Sequence, residues 1–305
     1  MKVHRRLPPD HMYPAGVPGV AARFVDLPSG ETIRVAESGP ANGIPVLLVH
    51  GWGGCLYSFR AALPALAGAG HRAIAVDLHG HGLSSKSSAR AGYDLPAMVQ
   101  HVGEIIEALG IDDLAIAGHS MSGRVALEYA HAYPQRVRGL ALLASAGVAT
   151  LRVPVTLVRP ALALAARAGP IAVPRFAVQL VLQAVYGTLR PFTEADVDEY
   201  WAPSQFPRYG HALHALLCDF DWGVVNPVRI ATLPMPVVII EGERDPLLGT
   251  RDIAALTLSV APKRVVSIAR AGHVVTHEAA DEVNAELVRL VALSAKRMAP
   301  RVTTA

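Results

Sequence analysis

The stretch Leu114-Ala115-Ile116-Ala117-Gly118-His119-Ser120-Met121-Ser122-Gly123 decides the fold. Its first four residues form a continuous apolar run, the pattern of a strand buried on both faces. From Arg124 to Tyr133, apolar side chains recur at spacings of three and four, which predicts a helix. A strand that passes into a helix through Gly-His-Ser-Met-Ser-Gly leaves Ser120 on a sharp, strained turn. Only small residues two positions before and two after let strand and helix pass each other. Gly118 and Ser122 supply them. Ser122 stands where glycine is more usual, and Gly123 beside it is small.

The same punctuation recurs on both sides of this turn. Val46-Leu47-Leu48-Val49 runs into His50-Gly51, and Ala73-Ile74-Ala75-Val76 runs into Asp77. The pattern repeats at 140–143, at 237–240 and, shorter, at 265–268. Residues 25–27 and 32–35 read as two short strands around Ser29-Gly30. Helical spacing covers 98–109 and 283–293. Strands alternating with helices predict an α/β fold, a mostly parallel sheet covered on both faces, with ligands beyond the carboxyl ends of the strands. From about Gly147 to Val225 the alternation stops. Seven prolines punctuate apolar, helix-leaning pieces there, and a stretch that long is not expected to be a bare loop. The expected organisation is a core from 1–146 and 226–305 with a helical cap inserted at 147–225.

The post-strand loops carry the chemistry. A serine hydroxyl needs a base, and the base needs a carboxylate to hold its tautomer. In sheets of this kind the chain order is Ser, then Asp or Glu, then His. The loop after 237–240 reads Glu241-Gly242-Glu243-Arg244-Asp245-Pro246, and the loop after 265–268 reads Ala269-Arg270-Ala271-Gly272-His273. His273 is the expected base. Asp245 is the expected acid, since it lies furthest past its strand and before a proline. The loop after 140–143, Ala144-Ser145-Ala146-Gly147, offers no carboxylate. His50-Gly51-Trp52-Gly53-Gly54 lets backbone approach a ligand, with Gly51 expected at the substrate. The amides of Trp52 and Met121 are the expected oxyanion donors. This loop lacks the ending of a phosphate-binding loop.

The chain resembles the α/β-hydrolase superfamily in its small capped esterase, haloperoxidase-like and C–C-hydrolase-like branches. The resemblance rests on His50-Gly51-Trp52-Gly53-Gly54, Asp77-Leu78-His79-Gly80-His81-Gly82-Leu83-Ser84, Gly118-His119-Ser120-Met121-Ser122-Gly123, Gly242-Glu243-Arg244-Asp245 and Gly272-His273. It covers roughly 20–147 and 226–295 and leaves the cap unmatched. It implies that the 77–84 loop is structural, so His79 and His81 are expected to build that loop and to hold no metal. Relatives that open epoxides or remove halides use an aspartate nucleophile, which Ser120 argues against. The expected activity is hydrolysis of carboxylic esters through an acyl-enzyme on Ser120, and the apolar inner face expected of the lid implies a substrate with a hydrophobic acyl or aromatic part. Two alternatives stand beside it. One is C–C hydrolysis, lactone opening or peracid formation by the same triad; relatives with C–C activity often carry Asn before the serine, where His119 stands here. The other is a non-catalytic ligand receptor with the same fold.

Composition excludes other classes. The 305 residues are 51% hydrophobic and only 17% charged, too apolar for a disordered chain. Lys and Arg number 28 against 25 acids, a net +3, too small an excess to suggest nucleic-acid binding. Two distant cysteines, Cys55 and Cys218, exclude a disulfide scaffold and fit a reducing compartment. No secretory leader is read in the first 14 residues, and no apolar run reaches the ~18 to 20 residues that span a bilayer. A cytoplasmic monomer or homodimer is expected, without cofactor or metal, acting on a small-molecule ester. Between Arg152 and Arg190 lie five arginines and no Lys, Asp or Glu, and from Glu194 to Asp221 six acids face one arginine. Trp52, Phe192, Tyr200, Trp201, Phe206 and Trp222 are candidates for an aromatic lining.

Overall fold

The structure is a computed structural model that describes residues 7–87, 92–148, 160, 163, 173–225, 228, 232–249 and 264–298. Eight strands form one sheet: β1 (Val20–Asp26), β2 (Thr32–Ser38), β3 (Pro45–Val49), β4 (Arg72–Val76), β5 (Leu114–His119), β6 (Val137–Leu143), β7 (Val237–Gly242) and β8 (Arg264–Ile268). Their spatial order is β1-β2-β4-β3-β5-β6-β7-β8. β1 pairs antiparallel with β2, and β2 with β4; every later pair is parallel. All eight expected strands are present. The apolar runs mark the central ones because parallel strands covered on both faces must be apolar on both. Leu47, Leu48, Ile74, Ile116, Leu140 and Leu142 are fully buried, each side chain contributing about 1.5 to 3 kcal/mol by leaving water.

The helices are α1 (Ala62–Gly68), α2 (Leu95–Ala108), α3 (Met121–Ala132), α4 (Arg175–Val185), α5 (Glu194–Trp201), α6 (Tyr209–Asp219), α7 (Val275–Glu278) and α8 (Ala280–Met298). Asp94 starts α2 by accepting the Ala97 amide at 2.9 Å, and Pro96 sits in its first turn, where no amide is needed. Leu95, Met98, Val102, Ile105 and Ile106 then face the core. α1 has no polar cap and only seven residues, which is why its apolar spacing is not legible as a helix in the sequence.

Between β6 and β7 the described residues carry α4, α5 and α6 and no strand; the arginines at 152, 159 and 167 lie outside the described residues. α5 opens with a capping box in which Thr193 and Asp196 satisfy each other's amides. Asp196 also takes the Arg60 guanidinium at 2.8 Å and the Tyr57 hydroxyl at 2.9 Å, pinning α5 to the core.

The register fixes where the loops emerge. Val49 lies beside Gly118, His119 beside Leu143, and Gly242 beside Ile268. The loops holding Gly51, Ser120, Asp245 and His273 therefore leave the same edge of the sheet. The chain moves outward from β3 to β4 and later starts β5 on the other side of β3. This reversal opens a crevice at the carboxyl ends of β3 and β5.

Candidate active site

Ser120 has φ 54° and ψ −119°, a conformation that costs a non-glycine residue on the order of 1 to 3 kcal/mol. The surrounding backbone holds it there. Its amide donates to the Leu143 carbonyl at 2.9 Å, and its carbonyl accepts the Gly123 and Ala146 amides at 3.0 Å. A Cβ at Gly118 would collide with the Ser122 carbonyl, and one at Gly123 would collide with the Ser145 side chain. The small residues are thus a steric requirement of the turn. The Ser122 hydroxyl donates to the His50 carbonyl. It gives the residue at the unusual position a polar partner and ties the turn to the β3 loop.

His273 Nε2 lies 2.8 Å from Ser120 Oγ, and His273 Nδ1 lies 2.8 Å from Asp245 Oδ2. A carboxylate only accepts, so Nδ1 carries the proton and Nε2 accepts from the serine hydroxyl. Asp245 is 2% exposed. Burial pushes its carboxyl up, but His273 and the amides of Leu247 (2.8 Å) and Leu248 (3.0 Å) outweigh that and hold it below its ordinary value. A Cβ on Gly242 would strike the carbonyls of Gly272 and Ala271. Glycine at the end of β7 is what lets the acid loop and the histidine loop touch.

His119 occupies a place that residue-by-residue reading does not assign. Its Nε2 lies 2.9 Å from the His273 carbonyl oxygen, so Nε2 carries the proton and donates. Burial, with His273 beside it, pushes His119 down to about 3 and keeps it neutral. The Ser120 turn and the histidine loop are thus joined through the His273 backbone carbonyl as well as by the Ser120–His273 bond.

The β3 loop packs against the same turn. A Cβ on Gly51 would come within 2.7 Å of the Ser120 Cβ, so only glycine fits there. No acceptor among the described residues takes the Trp52 or Met121 amide. Trp52 Nε1 donates to the Leu213 carbonyl at 3.0 Å, and the Tyr209 hydroxyl donates to the Gly53 carbonyl at 3.2 Å. Both acceptor and donor partners sit on α6, so this loop is anchored to the segment between β6 and β7. Tyr200 packs on Tyr57 and His277, Trp201 donates to Val173, Phe192 packs on Tyr186, and Trp222 packs on Phe220.

The 77–84 loop is built around Asp77, whose carboxylate accepts the Leu56 amide at 2.7 Å and the Leu83 amide at 2.9 Å. Leu78 donates to His50 Nε2 at 3.1 Å. His81 Nδ1 bonds the His79 carbonyl at 3.1 Å, and His79 Nδ1 lies 2.8 Å from Glu31. Among the described residues no group of three or more His, Cys, Asp or Glu is arranged to hold a metal ion. Cys55 is buried, whereas Cys218 is half-buried with its sulfur 3.6 Å from His214 Nε2.

A family model for the alpha/beta hydrolase fold matches residues 44–192. This match and the mostly parallel eight-stranded sheet give the chain the alpha/beta hydrolase fold. Among curated relatives it is 44% identical over 119 residues to the dihydrolipoyllysine-residue acetyltransferase component of the acetoin cleaving system of Pseudomonas putida, covering 39% of this chain and 31% of that protein. It is 35% identical over 136 residues to lipase 1 of Psychrobacter immobilis, covering 44% and 42%. The chain spans about a third of the length of the first curated relatives it matches. The solved 2-hydroxy-6-oxo-6-phenylhexa-2,4-dienoate hydrolase of Rhodococcus sp. strain RHA1 superposes on this chain with a TM-score of 0.73 at 22% identity, over 90% of this chain and 99% of that one. No helix among the described residues is long and apolar enough to cross a membrane.

Proposed function

We propose that this chain is a serine hydrolase of carboxylic esters that carry a hydrophobic acyl or aromatic part. The observation that carries this reading is the hydrogen-bonded series Ser120 Oγ–His273 Nε2 and His273 Nδ1–Asp245 Oδ2, both 2.8 Å, with His273 and Asp245 buried and Ser120 half-buried. In this mechanism Ser120 Oγ attacks the ester carbonyl while His273 Nε2 takes its proton. The Asp245 carboxylate stabilises the imidazolium that forms. The Trp52 and Met121 amides receive the developing oxyanion, and Gly51 leaves room for the substrate beside Ser120. His273 then protonates the leaving alcohol, and water attacks the acyl-enzyme by the reverse route. Residues 147–225 serve as the cap over this edge of the sheet. The 35% identity to a lipase supports the ester class.

The test is release of p-nitrophenol from acetate, butyrate and octanoate esters by wild type and Ser120→Ala. The expected result is turnover in wild type and a loss of about 10⁴- to 10⁶-fold in the variant. Folded wild type that turns over none of these esters but cleaves a vinylogous diketone would replace the ester reading with C–C hydrolysis. Tight ligand retention without turnover would replace it with the receptor.

A further inference from the structure

We infer that Glu278 is a positioning residue that couples the cap to the proposed base: its carboxylate bridges the loop that carries His273 and the chain that leaves cap helix α4. The inference rests on the triad reading above. Glu278 is 3% exposed. Its Oε1 accepts the Gly272 amide at 2.9 Å, and its Oε2 accepts the Gly187 amide at 2.8 Å. Gly272 immediately precedes His273, and Gly187 is the second residue after α4.

Around this carboxylate the two segments run as a short antiparallel ladder. The His273 amide donates to the Val185 carbonyl at 2.8 Å, and the Thr188 amide donates to the Arg270 carbonyl at 2.8 Å. Arg270 Nη2 returns to the Thr188 carbonyl at 2.8 Å, and Arg244 Nη1 reaches Thr188 Oγ1 at 2.9 Å. A Cβ on Gly187 would strike the Arg270 carbonyl and the Gly272 amide, and one on Gly272 would strike the Gly187 amide. Two facing glycines are therefore what lets cap and loop approach to backbone contact.

The His273 backbone is thus held from both sides. Its amide is bound by Val185 at the end of α4, and its carbonyl by His119 beside Ser120. A shift of the cap moves Val185 and Gly187, and through them the imidazole that must stay aligned with Ser120. Glu278 closes the bridge because a carboxylate offers an acceptor at each end, matching two N–H donors. Glutamine has nearly the same shape but presents an NH₂ at one end, which faces an amide N–H and breaks one arm.

The experiment uses the full chain as Glu278→Gln, as Gly187→Ala and as the double variant, at a temperature where melting curves show all of them folded. Gly187→Ala loosens the bridge from the cap side and serves if Glu278→Gln does not fold. Three quantities are measured: the rate at which a fluorophosphonate labels Ser120, kcat and KM on a p-nitrophenyl ester, and hydrogen exchange at the Gly272 and His273 amides. Each single variant is expected to lose about 10- to 100-fold in labelling and kcat, the scale of a misplaced reacting group, with KM changed less than about twofold. Exchange at both amides rises, and the double variant is no slower than the slower single one, because both break the same bridge. Wild-type labelling and kcat in both single variants would overturn the inference, as would losses that leave the two amides unchanged or that add in the double variant. Folded wild type that takes no label, in which Glu278→Gln still opens both amides, sinks the triad reading and the role given to Glu278, although the bridge itself is intact.

Discussion

Asp245 shows how much a single residue's surroundings decide. In the sequence it is one carboxylate among three in the six residues after the apolar run 237–240. In the fold one oxygen takes the His273 imidazole, and the other takes two amides from Leu247 and Leu248. These partners keep it ionised despite burial and hold the proton of His273 on Nδ1. Asparagine would keep the shape, but its NH₂ would meet that proton or force it to Nε2, where the ring no longer accepts from Ser120. Asp245→Asn is expected to lower kcat by about 10³- to 10⁴-fold with little change in melting temperature; steady-state kinetics beside a thermal melt checks both. Among the described residues His273 Nδ1 pairs with Asp245, not with Glu241, still in β7, or Glu243, in the loop after it. Glu241 is buried, and burial pushes it up to about 7, the opposite response to Asp245.

At the scale of elements, the site is the place where four loops approach to close contact. Gly118 lets β5 pass α3, Gly51 lets the β3 loop reach Ser120, and Gly242 lets the end of β7 meet the histidine loop. Each spacing is set by a missing Cβ and by the parallel register that brings these strand ends level. Gly242→Ala places a methyl group against the Gly272 and Ala271 carbonyls. The expected cost is about 1 to 3 kcal/mol of stability, typical of overpacking, together with a fall in kcat as Asp245 and His273 separate. Denaturant titration with kinetics at low denaturant would measure the two effects apart. A variant with wild-type kcat would show that the loops re-form around the methyl group.

For the whole molecule, the helical segment between β6 and β7 is joined to the rest of the chain by buried polar groups. Asp196 on α5 holds Arg60 and Tyr57, and Glu199 on the same helix accepts the Tyr13 amide at 2.8 Å. Burial pushes Glu199 up to about 7 from an ordinary 4.5, against the pull of that amide, Arg34 and Arg60. A carboxyl raised on folding binds more protons in the folded chain than in the unfolded one. Its contribution is fully present below about pH 4.5 and is lost as the pH rises through about 7. Stability is therefore expected to fall across that window. Glu199→Gln keeps an acceptor for Tyr13 and removes the titration. It should raise stability at pH 8 by roughly 1 kcal/mol, after solvent screening of a half-buried group, or about 1 to 2 °C in melting temperature. At pH 4 it should change little. Melting curves at the two pH values decide it, and equal shifts at both would remove Glu199 as the source.

By itself, the sequence determined the layered α/β architecture and the residues standing at the loops after its strands. Both follow from local signals. Central parallel strands must be apolar on both faces, so 46–49, 73–76, 114–117, 140–143 and 237–240 are visible as runs, and whatever follows each run lies at the carboxyl edge. Ser120, Asp245 and His273 were legible for that reason, and the structure puts them within 2.8 Å of one another in series. Only the tertiary structure decided the pairing of His119 with the His273 carbonyl, of Trp52 with α6, and of Glu278 with Gly187 and Gly272. These contacts join residues 154, 161, 91 and 6 positions apart. A hydrogen bond between distant segments has no periodicity and no spacing rule. It exists only after the sheet has set the strand register and the glycines have let the backbones meet.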